Sequence, residues 1–292
     1  MRQTAAMLYS VFKIRIGMAI MVSALAGLAV TPGRLLSAFE VVALAFAVLG
    51  ASAAAGAFNH MVERDLDSRM KRTRTRPFVT GQLNAGVPWY SGILLLLAAS
   101  VGLAWWAINP VAALYVYLGA VVYGYIYTVV LKRRTAWNIV IGGLAGSFAV
   151  LAGAAAADPT PGPVPLLMAG VLFLWTPPHF WSLAMALRKD YQAADVPMLP
   201  VVLGDGRSAR VIFAHTVVLV AVSLAPMVVP GPYALGPIYG TLASLGGLYF
   251  IRASWRLVHN PGPAMAMKAF FASLVQLCAV LAGAILWGTG IV

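Results

Sequence analysis

Apolar runs long enough to cross a bilayer recur along nearly the whole chain. They lie at about 14–30, 37–60, 88–108, 111–130, 138–157, 164–187, 210–229, 233–253 and 269–290. A helix needs about 20 apolar residues to span the hydrocarbon core. Lipid offers no partners to a backbone N–H or C=O, so a run of this length satisfies them internally as a helix. The expected fold is therefore all-α: a polytopic membrane bundle of nine transmembrane helices with cytoplasmic capping loops, forming one domain over residues 1–292. Charged residues make up 10% of the chain, against about 25% in soluble domains, and no separate soluble domain is expected. Asn109-Pro110, Pro159-Thr160-Pro161-Gly162-Pro163 and Pro230-Gly231-Pro232 mark tight turns between runs. Scattered charge in Met1–Arg15 without a small-residue cleavage pattern makes the first run a retained span rather than a signal peptide.

Nine spans put the termini on opposite sides, and the cations then sort by side. Of twenty Lys and Arg residues, nineteen fall in the N-terminal segment, the 2–3, 4–5, 6–7 and 8–9 connections or the adjoining span ends, and only Arg34 falls opposite. The positive-inside bias makes the basic side cytoplasmic. The net charge of +12 thus reports topology and not nucleic-acid binding. Cys278 is the single cysteine and forms no intrachain disulfide.

Six of the eight acids lie in two of the basic connections: Glu63, Asp65 and Asp67 in one, Asp190, Asp195 and Asp205 in the other. These connections lie four spans apart in similar settings, as an internal duplication would place them, although their sequences are not alike. Residues four apart drift only about 40° around a helix, so Asn59, Glu63 and Asp67 share one stripe if the helix continues. One amide and two carboxylates are hard oxygen ligands of the kind Mg²⁺ accepts beside a phosphorylated substrate. Ordinary i,i+4 pairing, Asp67 with Lys71 and Asp65 with Arg69, is the competing reading. Asp65 faces away from the stripe and would orient Arg69 or Arg64. In the second connection Asp190 is the candidate metal or phosphate-site residue. Asp195, about 140° around a continuous helix, is secondary.

Arg72, Arg74, Arg76 and Lys132-Arg133-Arg134 are candidate clamps for pyrophosphate oxygens. His60 adjoins the stripe and could touch substrate. His179 stands in Trp175-Thr176-Pro177-Pro178-His179-Phe180-Trp181, at depth in a proline-broken run. An ionisable residue there is a functional candidate, although a hydrogen bond to a neighbouring helix would equally explain it. His215 and His259 read as structural. Asn138, beside the basic loop, could hydrogen-bond a substrate, while Gly142 and Gly146 form a small-xxx-small packing pair.

Asn59-xxx-Glu63-xxx-Asp67 resembles the first acidic motif of the intramembrane aromatic prenyltransferases, the 4-hydroxybenzoate polyprenyltransferase superfamily. Further segments narrow the resemblance to its haem branch, the protohaem IX farnesyltransferases. They are Glu63-Arg64-Asp65-Leu66-Asp67-xx-Met70-x-Arg72-Thr73, Tyr127-Thr128-xxx-Lys132-Arg133, Asn138-Ile139-Val140-Ile141-Gly142-Gly143, Pro178-His179-Phe180-Trp181 and Asp190-Tyr191-xx-Ala194-xx-Pro197-Met198-Leu199-Pro200. The resemblance runs from about residue 12 to the end. It implies a lipid-accessible cavity under cytoplasmic loops in a bacterial inner membrane. It also implies transfer of farnesyl from farnesyl diphosphate to a vinyl group of haem b, with addition of water, giving haem O. By position it assigns Mg²⁺ on the diphosphate to Asn59, Glu63 and Asp67 and a second site to Asp190, with Asp195 as a further candidate ligand. Arg72, Lys132, Arg133, Asn138, His60, His179 and Tyr191 fall to the substrates. A haem A synthase is the implied partner. This chain has Glu63 where the wider superfamily often has Asp, and acids five apart, Asp190 and Asp195, where that superfamily usually has aspartates four apart. A quinone or chlorin-type acceptor, or a polytopic transporter, are the alternative readings.

Overall fold

A computed structural model describes residues 2–230 and 234–290 of the chain. Among them there is no strand. The helices are α1 (Arg2–Val11), α2 (Ile14–Ala29), α3 (Ala38–Val62), α4 (Arg64–Arg69), α5 (Pro77–Thr80), α6 (Val87–Ala107), α7 (Pro110–Val121), α8 (Asn138–Gly142), α9 (Leu144–Ala157), α10 (Pro163–Ala186), α11 (Arg188–Ala193), α12 (Leu199–Leu224), α13 (Pro237–His259) and α14 (Pro263–Gly288). The expected spans overlap these helices, the fourth lying on α7 with the π-helix Val122–Leu131 that follows it and the fifth on α8 with α9. Seven are long and apolar enough to cross a membrane, or eight if α1 and α2, bent by 52°, count as one. The eighth expected span, α13, has 23 residues but lies outside that set. Arg252, Arg256 and His259 make its last turns polar.

The long helices form a closed ring. α2 packs on α3, α3 on α6, α6 on α7, α7 on α9, α9 on α10, α10 on α12, α12 on α13 and α13 on α14, which returns to α2. Lipid tails are as apolar as leucine, so helix association here depends on close van der Waals approach. The α2–α9 contact shows how close. A Cβ on Gly27 would run into the Val150 carbonyl, and one on Gly153 into the Ala24 carbonyl. Gly142 and Gly146, the pair marked by sequence, are spent differently: Gly142 seats the Tyr127 ring and Gly146 faces the Leu172 side chain.

Three local features depart from a plain bundle and position the polar face. Lys13 adopts a left-handed conformation (φ 48°) at the break between α1 and α2. The span begun by α7 continues as a π-helix over Val122–Leu131, closed by a Lys132 N–H to Tyr127 C=O bond of 2.9 Å, five residues back. α12 begins at Leu199, well before the expected residue 210, and kinks at Gly204 (φ 73°). Glu40 lies at the start of α3 in a capping box with Ser37, and its carboxylate also takes Arg34 Nη1 at 2.5 Å. The turn at Pro230-Gly231-Pro232 falls partly outside the described residues.

Candidate active site

The acidic stripe survives a break in its helix. α3 ends at Val62 and α4 starts at Arg64, with Glu63 (φ −89°, ψ 10°) between them. The hydrogen bonds still run through: Glu63 N–H to Asn59 C=O at 3.0 Å and Asp67 N–H to Glu63 C=O at 2.8 Å. Asn59, Glu63 and Asp67 are all buried, at 2%, 1% and 3% exposure. Buried charges are stable only when paired, and each polar head is met by a cation. Lys132 Nζ bonds Glu63 Oε2 at 2.5 Å, Arg76 Nη1 bonds Asp67 Oδ2 at 2.6 Å, and Lys13 Nζ donates to Asn59 Oδ1 at 2.6 Å. Three basic side chains thus face two carboxylates and one amide.

The other side of the stripe is lined by the π-helix. Asn59 Nδ2 donates to Thr128 Oγ1 at 2.9 Å, and Lys13 also donates to the Tyr123 hydroxyl at 2.7 Å. The rings of Tyr123 and Tyr127 stack 6.0 Å apart. π-helical turns are frequent at functional sites because they re-aim side chains. Here one such segment supplies Tyr123, Thr128 and, immediately after it, Lys132.

The second acidic segment closes onto the first. Leu66 and Met70 share an apolar cluster with Ala184, Tyr191, Ala194, Val196 and Met198. Asp190 Oδ2 accepts the Arg72 backbone N–H at 3.2 Å, and Arg69 meets Asp195 at 3.1 Å. Tyr191 is buried, and burial, reinforced by the Glu63 charge, pushes its hydroxyl up to about 12, against the pull of Arg72 and Arg76. It therefore stands over the site as a neutral hydroxyl.

Several expectations are corrected. The i,i+4 pairs do not form: Met70 turns extended (ψ 127°) and ends α4, so Lys71 leaves the helix face and Asp67 is taken by Arg76 instead. Asp65 orients neither Arg69 nor Arg64. It grips Arg133 through both carboxylate oxygens, each at 2.7 Å, and that pair holds the carboxyl below, and the guanidinium above, their ordinary values. Among the described residues no three His, Cys, Asp or Glu side chains converge on a metal-sized site. Asp195 sits in a left-handed turn (φ 54°) with its side chain 83% exposed.

His60 is buried, with Nδ1 unpartnered. His179 is held within the bundle: Nδ1 lies 2.7 Å from Ser273 Oγ, and its ring is stacked between Trp175 and Phe270 at 4.0 and 4.5 Å. This is the neighbouring-helix reading, and both ring faces are covered. Asn138 is fully buried. Its Nδ2 donates to the Thr135 carbonyl at 2.6 Å, while its Oδ1 has no partner. Sequence reasoning missed Lys13, Tyr123 and Thr128. The available signals were a cation at the head of the first apolar run and hydroxyls inside a span.

The donor set suits Mg²⁺ in one particular way. Mg²⁺ usually takes one or two carboxylates and fills its octahedron with water and substrate phosphate. Glu63 and Asp67, with the Asn59 amide, supply that number of hard oxygens. Glu63 Oε1 is buried with no partner, as an oxygen reserved for a cation would be.

Buried acids faced by basic side chains, gathered at one end of a bundle of apolar helices, define a membrane protein with a charged site at the end of its helices. The UbiA prenyltransferase family model matches residues 20–275, and the chain belongs to that family. It is 57% identical over 274 residues to protoheme IX farnesyltransferase 2 of Paramagnetospirillum magneticum, covering 94% of each chain. It is 42% identical over 235 residues to the protoheme IX farnesyltransferase of Acidiphilium cryptum, covering 80% of this chain and 73% of that one. The fold is shared with solved structures of low identity. One, from work on digeranylgeranylglyceryl phosphate synthase in membranes, superposes with TM-score 0.76 at 17% identity, over 97% of this chain and 99% of that one. A UbiA homolog from Archaeoglobus fulgidus bound to DMAPP and Mg²⁺ gives 0.70 at 15% identity, over 95% and 98%.

Proposed function

We propose that this chain transfers the farnesyl group of farnesyl diphosphate to a vinyl group of haem b, with addition of water, releasing haem O and diphosphate. The observation that carries the reading is the 57% identity, over 94% of both chains, to a protoheme IX farnesyltransferase. The site geometry supports it and suggests how the residues divide the work.

Mg²⁺ bound with Asn59, Glu63 and Asp67 would neutralise charge on the departing diphosphate. The residues do the rest. Lys13, Lys132 and Arg76 exchange their present partners for phosphate oxygens, so cationic donors are already aimed where negative charge develops. Arg72, tied to Asp190 through its backbone, and Arg133 flank this cluster from the two connecting loops. As the allylic C–O bond breaks, its electron pair leaves on diphosphate. The vinyl π pair then forms the new C–C bond, and the resulting cation takes one water and loses a proton. A closed site limits earlier capture of the farnesyl cation by water, and the burial of Glu63 and Asp67 fits that need. Tyr191, neutral near pH 7, can donate a hydrogen bond but supplies no anion. Asp190 acts in this scheme by fixing the Arg72 loop. His60 and Asn138, each with an unpartnered buried atom, are the polar groups left for the acceptor. His179 supports the bundle wall from within its aromatic sandwich.

The acidic connections and N-terminus face the cytoplasm of a bacterial inner membrane in this reading, because the cations lie there. Haem O then passes to an oxidising enzyme of the haem A synthase type. The test is a membrane assay with haem b, farnesyl diphosphate and Mg²⁺, read by mass spectrometry. Wild type makes haem O, and Glu63→Gln and Asp67→Asn each lower turnover by about 10²-fold or more. Folded wild type that makes no haem O would overturn the proposal. Variants as active as wild type would overturn the metal assignment alone.

A further inference from the structure

A second basic site lies away from the acids, where α13 ends and α14 begins. Trp255, Arg256, His259, Asn260, Met265 and Lys268 line a recess of about 360 Å³. Every acid of the chain is engaged elsewhere. Six of the eight Asp and Glu side chains form ion pairs, Asp158 accepts from Thr160, and Asp190 accepts from the Arg72 N–H. Arg256 and Lys268 are exposed and have no side-chain partner among the described residues. Among the described residues no side-chain carboxylate is left to neutralise them.

The recess has features that a general excess of cytoplasmic cations does not explain. Met265 and Lys268, in the first turns of α14, line it, and that helix has no side-chain cap, so the positive end of a 26-residue helix lies beside the recess. His259 and Trp255 form an aromatic wall, their rings 4.4 Å apart and the His259 Nδ1 3.0 Å from the Trp255 carbonyl oxygen. Tryptophan favours the membrane interface. Apolar side chains continue from the recess along both helices. Phe271 and Val275 follow Lys268 on α14 at 57% and 50% exposure, and Tyr249 and Leu245 precede Arg256 on α13 at 53% and 63%. Spacings of three and four on α14, and of four and seven on α13, keep each series on one helix face.

We propose that this recess binds the phosphodiester head group of an anionic phospholipid, with Arg256 and Lys268 on the phosphate and the acyl chains along the α13 and α14 faces. A free phosphate would use the cations and the helix end, but it would gain nothing from the apolar tracks. The site is separate from the proposed reaction centre and does not depend on it.

The test is native mass spectrometry of the purified full chain titrated with phosphatidylglycerol, phosphatidylcholine, inorganic phosphate or pyrophosphate. Wild type should retain one phosphatidylglycerol molecule more tightly than phosphatidylcholine. The variant R256Q/K268Q should weaken it by about fivefold per cation removed. The variant R207Q/R210Q, which removes two other exposed cations, should leave it unchanged. Equal retention by R256Q/K268Q, or equal weakening in R207Q/R210Q, would overturn a discrete site. Inorganic phosphate or pyrophosphate bound as tightly as phosphatidylglycerol would show that the recess takes the free anion, and would overturn the lipid assignment.

Discussion

Glu63 and Lys132 hold each other in a place where neither is stable alone. Their side chains are 2% and 11% exposed, and removing one partner of a buried pair costs about 3–5 kcal/mol because the other charge stays buried. Lys132→Ala should therefore lower the melting temperature by several degrees in chelator. Glu63 then lacks a counter-ion that Mg²⁺ can supply, so adding Mg²⁺ should restore more stability to the variant than to wild type. Unfolding followed by intrinsic fluorescence checks both, and a variant as stable as wild type in chelator would remove the pair from the account. Asp65 and Arg133 make the opposite case. Their side chains are 51% and 42% exposed, where an ion pair contributes about 0–1 kcal/mol. Arg133 depresses the Asp65 carboxyl, so the contribution is present above the unfolded value of about 3.9. It is lost as pH falls through the lower, folded value. Asp65→Asn should cost less than about 1 kcal/mol near neutral pH, with the difference vanishing in strong acid. A large loss at neutral pH would mean that Asp65 supports more than its partner.

The π-helix is the element on which the site depends most. Its i→i+5 turns bring Thr128 to Asn59 and, through the Lys132 N–H to Tyr127 C=O bond, Lys132 to Glu63. Deleting Val129 should remove the extra residue of a π turn and let the segment close as an α-helix, re-aiming Lys132 relative to Thr128. Lys132 would leave Glu63, and product formation should fall to background while the protein still elutes as a monodisperse species. Retained activity would show that the π turns are incidental. No sequence pattern announced the π geometry of this segment, because a π turn changes the hydrogen-bond count rather than the hydropathy. The apolar runs and the Asn109-Pro110 hairpin were legible because bilayer thickness and proline chemistry act locally. The acidic stripe was legible because α-helical spacing persists across the Glu63 break. Its cations were not. Asp67 sits four residues before Lys71, but Met70 ends the helix, and the partner becomes Arg76 at the head of α5. Lys13 and Tyr123, 110 residues apart, meet only once α2, α3 and the π-helix have packed together.

Across the whole molecule, charge sorts between the two ends of the bundle. The paired carboxylates Glu63, Asp65, Asp67, Asp195 and Asp205 all belong to the two acidic connections. Arg34 and Glu40 pair with each other near the start of α3, and Asp158 closes a turn with Thr160 after α9, at the other end of the bundle. A diphosphate ester held at the acidic end would have its head group among the cations there and its prenyl chain directed into the bilayer, and the proposed orientation turns that end to the cytoplasm. The opposite orientation would place those cations outside, against the positive-inside bias. Single cysteines in a Cys278→Ser background test the choice, with Ser68 at the acidic end and Thr160 at the other, both exposed. In spheroplasts, whose outer surface is periplasmic, a membrane-impermeant maleimide should modify Thr160→Cys and spare Ser68→Cys until the membrane is opened. Labelling of Ser68→Cys alone in intact spheroplasts would invert the topology and take the reaction centre to the periplasmic face. Labelling of both or of neither would show that the two turns share one side, which an odd number of spans between them, α6, α7 with its π-helix, and α8 with α9, does not allow.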